Sequence, residues 1–162
     1  MKSFRWFNFL FALFAGLLGG NALRAEGPSY GLAADNHIFA QQLVTEIMAA
    51  NPGLLAAGLH CIPPGGAKQV IVASTLNVIG KPSDPEDVLN GGTTIVPSRK
   101  APKLGIMLPL LDSAGTEIGS LALQFKYQTG EDQVKYLAAA TAIREHTAKR
   151  VPSLAALFKP TP

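Results

Sequence analysis

The sequence has one cysteine, Cys61, so no intrachain disulfide can form. Cys61 then reads as a buried small hydrophobe, the alternatives being a reactive thiol or an intermolecular bridge. Its three histidines, His37, His60 and His146, include no pair at metal-site spacing, so neither a metal nor another cofactor is expected. Neither G-x-S-x-G, H-E-x-x-H nor C-x-x-C-H occurs, and no catalytic residue is assigned. Gly65-Gly66-Ala67-Lys68 lacks the spacing of a phosphate loop and follows two prolines, which marks a turn. No repeat recurs at 20–50 residues, and after the N-terminus no apolar run is long enough to cross a bilayer.

What is present at the N-terminus is a charged head, Lys2 and Arg5, followed by an almost wholly apolar run from Trp6 to Leu18. Gly19-Gly20 breaks that run, and small residues follow at Ala22 and Ala25. The run is shorter than the ~20 residues of a membrane-spanning helix. This is the pattern of a secretory signal peptide over 1–25, cut after Ala25 or, as second choice, after Ala22; an uncleaved anchor is the alternative. The expected location is the periplasm or the medium of a Gram-negative bacterium. Cleavage also changes the charge. Lys2, Arg5 and Arg24 leave with the signal, and none of the 11 acids does, so the formal excess of +3 disappears. A basic patch for nucleic acid or anionic lipid is therefore not expected.

Residues 26–34 read as a flexible leader and 35–158 as one domain. Asp35 or Asn36 is placed to cap a helix running to Ala50, because Phe39, Leu43 and Ile47 recur at helical spacing. Gln41, Gln42, Thr45 and Glu46 form its polar side, and Asn51-Pro52-Gly53 ends it. Leu54 to Ile62 reads as a helical turn entering a strand at Gly58. Pro63-Pro64-Gly65-Gly66 then turns the chain into a second strand, Gln69–Ser74. Residues 75–103 are punctuated by Gly and Pro and read as a long loop, with Ser83-Asp84-Pro85-Glu86-Asp87 as a helix start. Leu104–Leu111 and Ile118–Tyr127 form a hairpin about Asp112-Ser113-Ala114-Gly115. In the second of these strands Leu121, Leu123, Phe125 and Tyr127 face one way, and Ser120, Ala122, Gln124 and Lys126 the other. Thr129-Gly130-Glu131-Asp132 resembles a capping box before a helix to Arg150, and Ser153–Phe158 adds a further turn. The fold class is α+β: an antiparallel sheet of four to five strands with N- and C-terminal helices.

This order, in an exported chain, resembles the Cache-type extracellular sensor domain, a relative of the PAS fold. The runs that carry the resemblance are Gly58–Gly66 with Val70–Ser74, Ile79–Asp87, and Leu108–Leu121 with its Asp-x-x-Gly turn and Ile118-Gly119 pair. It spans residues 35–150. The resemblance implies a ligand cavity between the sheet and the long loop, and ligands such as amino acids, carboxylates or amines. The Tyr, Arg, Trp and Asp cluster that grips amino acids in some relatives is missing here, so the ligand class does not carry over. A stand-alone exported domain is expected, with neither a second membrane span nor an output domain. Any signal would then pass to an envelope or membrane signalling protein.

The ligand-site candidates are His60, Lys81, Arg99, Lys103 and Tyr127. Arg99 and Lys103 are suited to a carboxylate, the alternative being a solvated basic loop with Lys100. His60 is either a pocket residue or a hydrogen-bonded structural histidine. Asp84, Glu86 and Asp87 either bind a cation or begin a helix. The leading reading is a small-molecule-binding sensor-like domain whose partner is a metabolite. A non-catalytic envelope interaction module is the second, and a small hydrolase or lyase the third.

Overall fold

Two hairpins dictate most of the architecture. In the first, β1 (Leu54–Cys61) returns as β2 (Val70–Ser74); in the second, β4 (Lys103–Leu111) returns as β5 (Glu117–Lys126). A short strand β3 (Thr94–Pro97) pairs with the outer edge of β4. Pairing of β1 with β5 joins the hairpins into one five-stranded sheet in the order β2-β1-β5-β4-β3, antiparallel at every step. Helix α1 (Phe39–Ala50) precedes the sheet; α2 (Gln133–Ala148) and a 3-10 helix (Leu154–Phe158) follow it. The structure is a computed structural model that describes residues 37–83 and 92–162. The expected signal peptide and leader, the cap at Asp35 or Asn36, and the acidic stretch at Asp84, Glu86 and Asp87 lie outside the described residues. Among the described residues no helix is long and apolar enough to cross a membrane.

Both helices bury their apolar stripes against one face of the sheet. Ala40, Leu43, Val44 and Ile47 of α1, and Ala140 and Ile143 of α2, share a single core with Leu59, Leu104, Ile106, Leu108, Leu110, Leu121 and Leu123. Each such leucine contributes roughly 1.5–3 kcal/mol by leaving water. Cys61 is fully buried in this core, and burial pushes its thiol pKa up to about 12, so it behaves as an apolar side chain. The chain end is tied to the start of α1, where Phe39 N donates to Lys159 O at 2.9 Å and Thr161 N to His37 O at 2.8 Å.

Four local expectations change. β1 begins at Leu54 rather than Gly58. Leu54-Leu55-Ala56-Ala57 has helical propensity, but Leu54 and Ala57 pair with Phe125 and Leu123, and that tertiary pairing prevails. β3 lies inside the stretch read as loop; its β-branched Thr94-Ile95-Val96 is enough for an edge strand, and an edge tolerates Pro97. The cap of α2 is Asp132, whose carboxylate accepts from Val134 N at 2.9 Å, and not Thr129. Gln41, assigned to the polar side of α1, pins the sheet instead. Its Oε1 accepts from Ser74 N at 3.0 Å, and its Nε2 donates to Ser74 O at 3.2 Å.

Candidate functional site

The face of the sheet turned away from the helices is built from small and polar side chains. Residues directly opposite in an antiparallel pair share a face, so the register defines rows across this open face. One row runs Ser74, Gly58, Ala122, Met107, Thr94 across all five strands. The next runs Ala56, Gln124, Gly105, Val96, and a third pairs His60 with Ser120. At the other end Lys103 stands opposite Lys126. With Gly, Ala and Ser at the centre, the floor is low.

Two hollows follow from this floor. One, of about 340 Å³, lies over Gly105, Met107, Ala122 and Gln124, between Val96, Ser98 and Lys103. The other, of about 240 Å³, lies over Ala56, Gly58 and His60, bounded by Ile71, Ser74, Leu76 and Val78 from β2 and the chain that follows it. They share Met107, Ala122 and Gln124 and so adjoin on this face; together they make up its groove. A Cβ added at Gly58 would stand 3.6 Å from His60 Nε2 and 3.7 Å from Ser74 Oγ, which brings both polar atoms to the groove floor. The wall is held by local hydrogen bonds: Ser74 Oγ accepts from Leu76 N at 3.0 Å, and Ala57 N donates to Thr75 Oγ1 at 3.1 Å. Behind His60, Gln69 Nε2 donates to Ser120 Oγ at 3.1 Å.

Of the sequence candidates, the structure brings His60 and Lys103 into this groove. His60 is buried at 6% exposure. Lys103 is half-buried, and its Nζ donates to Gln124 Oε1 at 3.4 Å. Arg99 is exposed in the β3–β4 turn, beside the groove without lining it. Lys81 is exposed behind the β2 edge, where its carbonyl accepts from Ile71 N at 2.9 Å. Tyr127 lies elsewhere, in a separate hollow of about 650 Å³ beside α2. There its ring meets Tyr136 edge-on at 5.7 Å, and its hydroxyl accepts from Gln133 Nε2 at 3.3 Å.

In that hollow beside α2, Glu131, Lys135 and Tyr136 are already committed to one another. Glu131 accepts from the Tyr136 hydroxyl and from Gln128 N, and it pairs with Lys135. The Tyr136 bond, more than any other, holds the Glu131 carboxyl below the usual carboxylate range. A further hollow of about 440 Å³ between α1 and α2 is bounded by the Glu46–Arg150 ion pair. In the open-face groove, by contrast, Gln124, Ser98, Ser74 and Met107 were not singled out from the sequence. The signal for Gln124 was visible in the small, polar alternate face of β5.

No family model matches the chain, and no curated protein matches it. Among solved structures, the fold is similar to that of a protein assigned as a GAF sensor from Burkholderia vietnamiensis, with TM-score 0.50 and 17% identity over 72% of this chain and 76% of that one. The inducer-binding domain of a double mutant of the transcription factor PobR from Acinetobacter, in complex with 3-hydroxybenzoic acid, is also similar. There the TM-score is 0.45 and the identity 15%, over 72% of this chain and 96% of that one. The α+β fold, a five-stranded antiparallel sheet with helices on one face, is thus of the GAF/PAS-like kind.

Proposed function

We propose that this domain is an exported sensor-like module that binds a small metabolite in the groove of its open sheet face. The observation that carries the reading is the groove itself. It is concave, floored by Gly58, Gly105 and Ala122, lined mainly by apolar atoms, and supplied with a few placed polar groups in His60, Ser74, Gln124 and Lys103. That is the usual composition of a small-molecule site. The GAF/PAS-like fold agrees with this reading without carrying it, since one fold hosts many functions. No group in the groove is assigned to bond-breaking chemistry in this reading; the ligand is bound and released.

A thermal-shift screen of the protein against organic acids, amines and amino acids tests the proposal. A true ligand raises the midpoint with concentration, as binding to the native state alone requires. No shift with any class, together with a stoichiometric protein partner on co-purification, would favour the interaction-module reading instead. Export is tested separately, by N-terminal sequencing of the protein recovered from the periplasm or medium. The expected first residue is Glu26, or Leu23 if cleavage follows Ala22. An intact Met1 in the cytoplasmic fraction would overturn it.

A further inference from the structure

Resting on the reading of the open face as a ligand site, we propose that its ligand is a small monocarboxylate with an apolar body, the carboxylate seated against Lys103. Among the described residues the charge at this end of the groove is unbalanced. Lys103 and Lys126 stand directly opposite each other on one face, an arrangement that costs pairing energy unless an anion compensates it. Among the described residues neither lysine forms a salt bridge to an acid.

The neutral groups beside Lys103 offer donors. An ammonium has no acceptor, so the Lys103 bond fixes the Gln124 carboxamide with Oε1 toward Nζ and leaves Nε2 to donate. Ser98 Oγ already accepts from Lys100 N and Ala101 N, each at 3.2 Å, so its remaining capacity is its own O–H. One cation and two donors therefore converge on an end of the groove whose described lining contains no carboxylate. An acceptor-only anion fits this set, and an amine is repelled by it.

Beyond this end the floor of Gly105, Met107 and Ala122 is apolar, which calls for a hydrocarbon body on the same molecule. Lys103 is the one cation among the described residues lining this end, Lys126 being exposed beside it. This suits one carboxylate better than a phosphate, which is usually met by several cations, a guanidinium fork or a helix N-terminus.

The test labels the methionine methyls with carbon-13 in the full chain. Met107 lies on the groove floor, and Met48 on α1 serves as an internal control. Hexanoate and 3-phenylpropionate should shift the Met107 signal saturably and leave Met48 in place. Hexanamide and hexylamine should bind at least about 10-fold more weakly, as expected for losing a charge-assisted hydrogen bond. Rising salt should weaken hexanoate and leave hexanamide unchanged. Lys103→Leu, which keeps most of the aliphatic stem, should bring hexanoate down to the affinity of hexanamide. If hexanamide binds as tightly as hexanoate, or hexanoate binding ignores both salt and Lys103→Leu, the carboxylate assignment falls while the groove stands as a site. If none of these compounds, and no compound of the thermal screen, moves Met107, the site reading falls with it. The salt series uses the unaltered chain, so the proposal stays open to refutation even if Lys103→Leu does not fold.

Discussion

The two faces of this sheet are made by the same strands and have opposite compositions. Toward the helices, β4 and β5 present Leu104, Ile106, Leu108, Leu110, Leu121 and Leu123, each nearly or wholly inaccessible. Toward the open side the same strands present Lys103, Gly105, Met107, Ala122 and Gln124, most of them half-buried. Strand periodicity alone requires two faces; it does not require one to be filled and the other hollow. A strand interior normally loses stability where glycine replaces a packing side chain. At Gly58 a Cβ would press on the Ala73 carbonyl oxygen at 3.3 Å, but at Gly105 it would meet only Val96 O at 3.6 Å, so the glycine at 105 is a cost that packing does not explain. The closed face holds the fold together, and the open face leaves a space for something else.

The comparison breaks most sharply on the closed face. Leu121→Ala removes a fully buried side chain from the centre of the core. It should lower the unfolding free energy by about 2–5 kcal/mol, measured by urea titration. A loss below about 1 kcal/mol would mean that this face is not the close-packed one. Gly119→Ala tests where the faces meet, at the crossing of β5 and β1. A Cβ there would collide with the His60 carbonyl oxygen and stand 2.8 Å from Cys61 Cβ. The backbone must shift to admit it, with an expected loss of about 1–3 kcal/mol. Because the clash falls on His60, the same variant should also disturb ligand binding.

How much of this was legible in the sequence follows the range of the interactions. The β4–β5 hairpin was read correctly because its turn is local. The Asp112 carboxylate accepts from Ala114 N at 3.0 Å and Thr116 N at 2.9 Å, and Gly115 takes φ +82°. The first hairpin, both helices and the α+β class were legible for the same reason. The start of β1 and the whole of β3 were not, because their strand character comes from partners far along the chain. The groove was hidden for a related reason. Gly58, Ala122 and Met107 are unremarkable singly and form a low floor only once the register sets them in one row. The alternation in Ile118–Tyr127 did place Tyr127 on the side of Leu121 and Phe125, away from Gln124. The structure sets it there, beside Tyr136.

A substitution on the open face should sharpen the contrast by leaving the fold alone. A Cβ at Gly105 would stand 3.6 Å from Val96 O, an ordinary contact, and the position is extended strand. Gly105→Val should therefore change the unfolding free energy by no more than about 0.5 kcal/mol, or raise it slightly, because a β-branched residue suits a strand. It also intrudes on the floor of the 340 Å³ open-face hollow. Ligand-dependent thermal shifts should vanish in this variant while its own melting temperature stays near that of the parent. Retained ligand shifts would move the site away from the open face.

The smallest effect lies on the far side of the helices, where Glu46 of α1 pairs with Arg150 just beyond α2. The hydrogen bond from Arg150, aided by one from Gln42, holds the Glu46 carboxyl below the usual carboxylate range. The folded value lies under the unfolded one, so the pair stabilises the fold at pH above the ordinary Glu value of about 4.3. That contribution is lost as pH falls through the lower, folded value. Both side chains are more than a third exposed, and water screens the pair to at most about 0.5 kcal/mol. Glu46→Gln should accordingly lower the urea midpoint slightly at pH 7, and the difference should fade as pH falls through the folded value, where the parent loses the same charge. Because the pair faces away from the groove, ligand affinity should be the same in both proteins at pH 7. A ligand-affinity difference there would show that the helix layer and the open face are coupled through the sheet, which the division of labour between the two faces does not require.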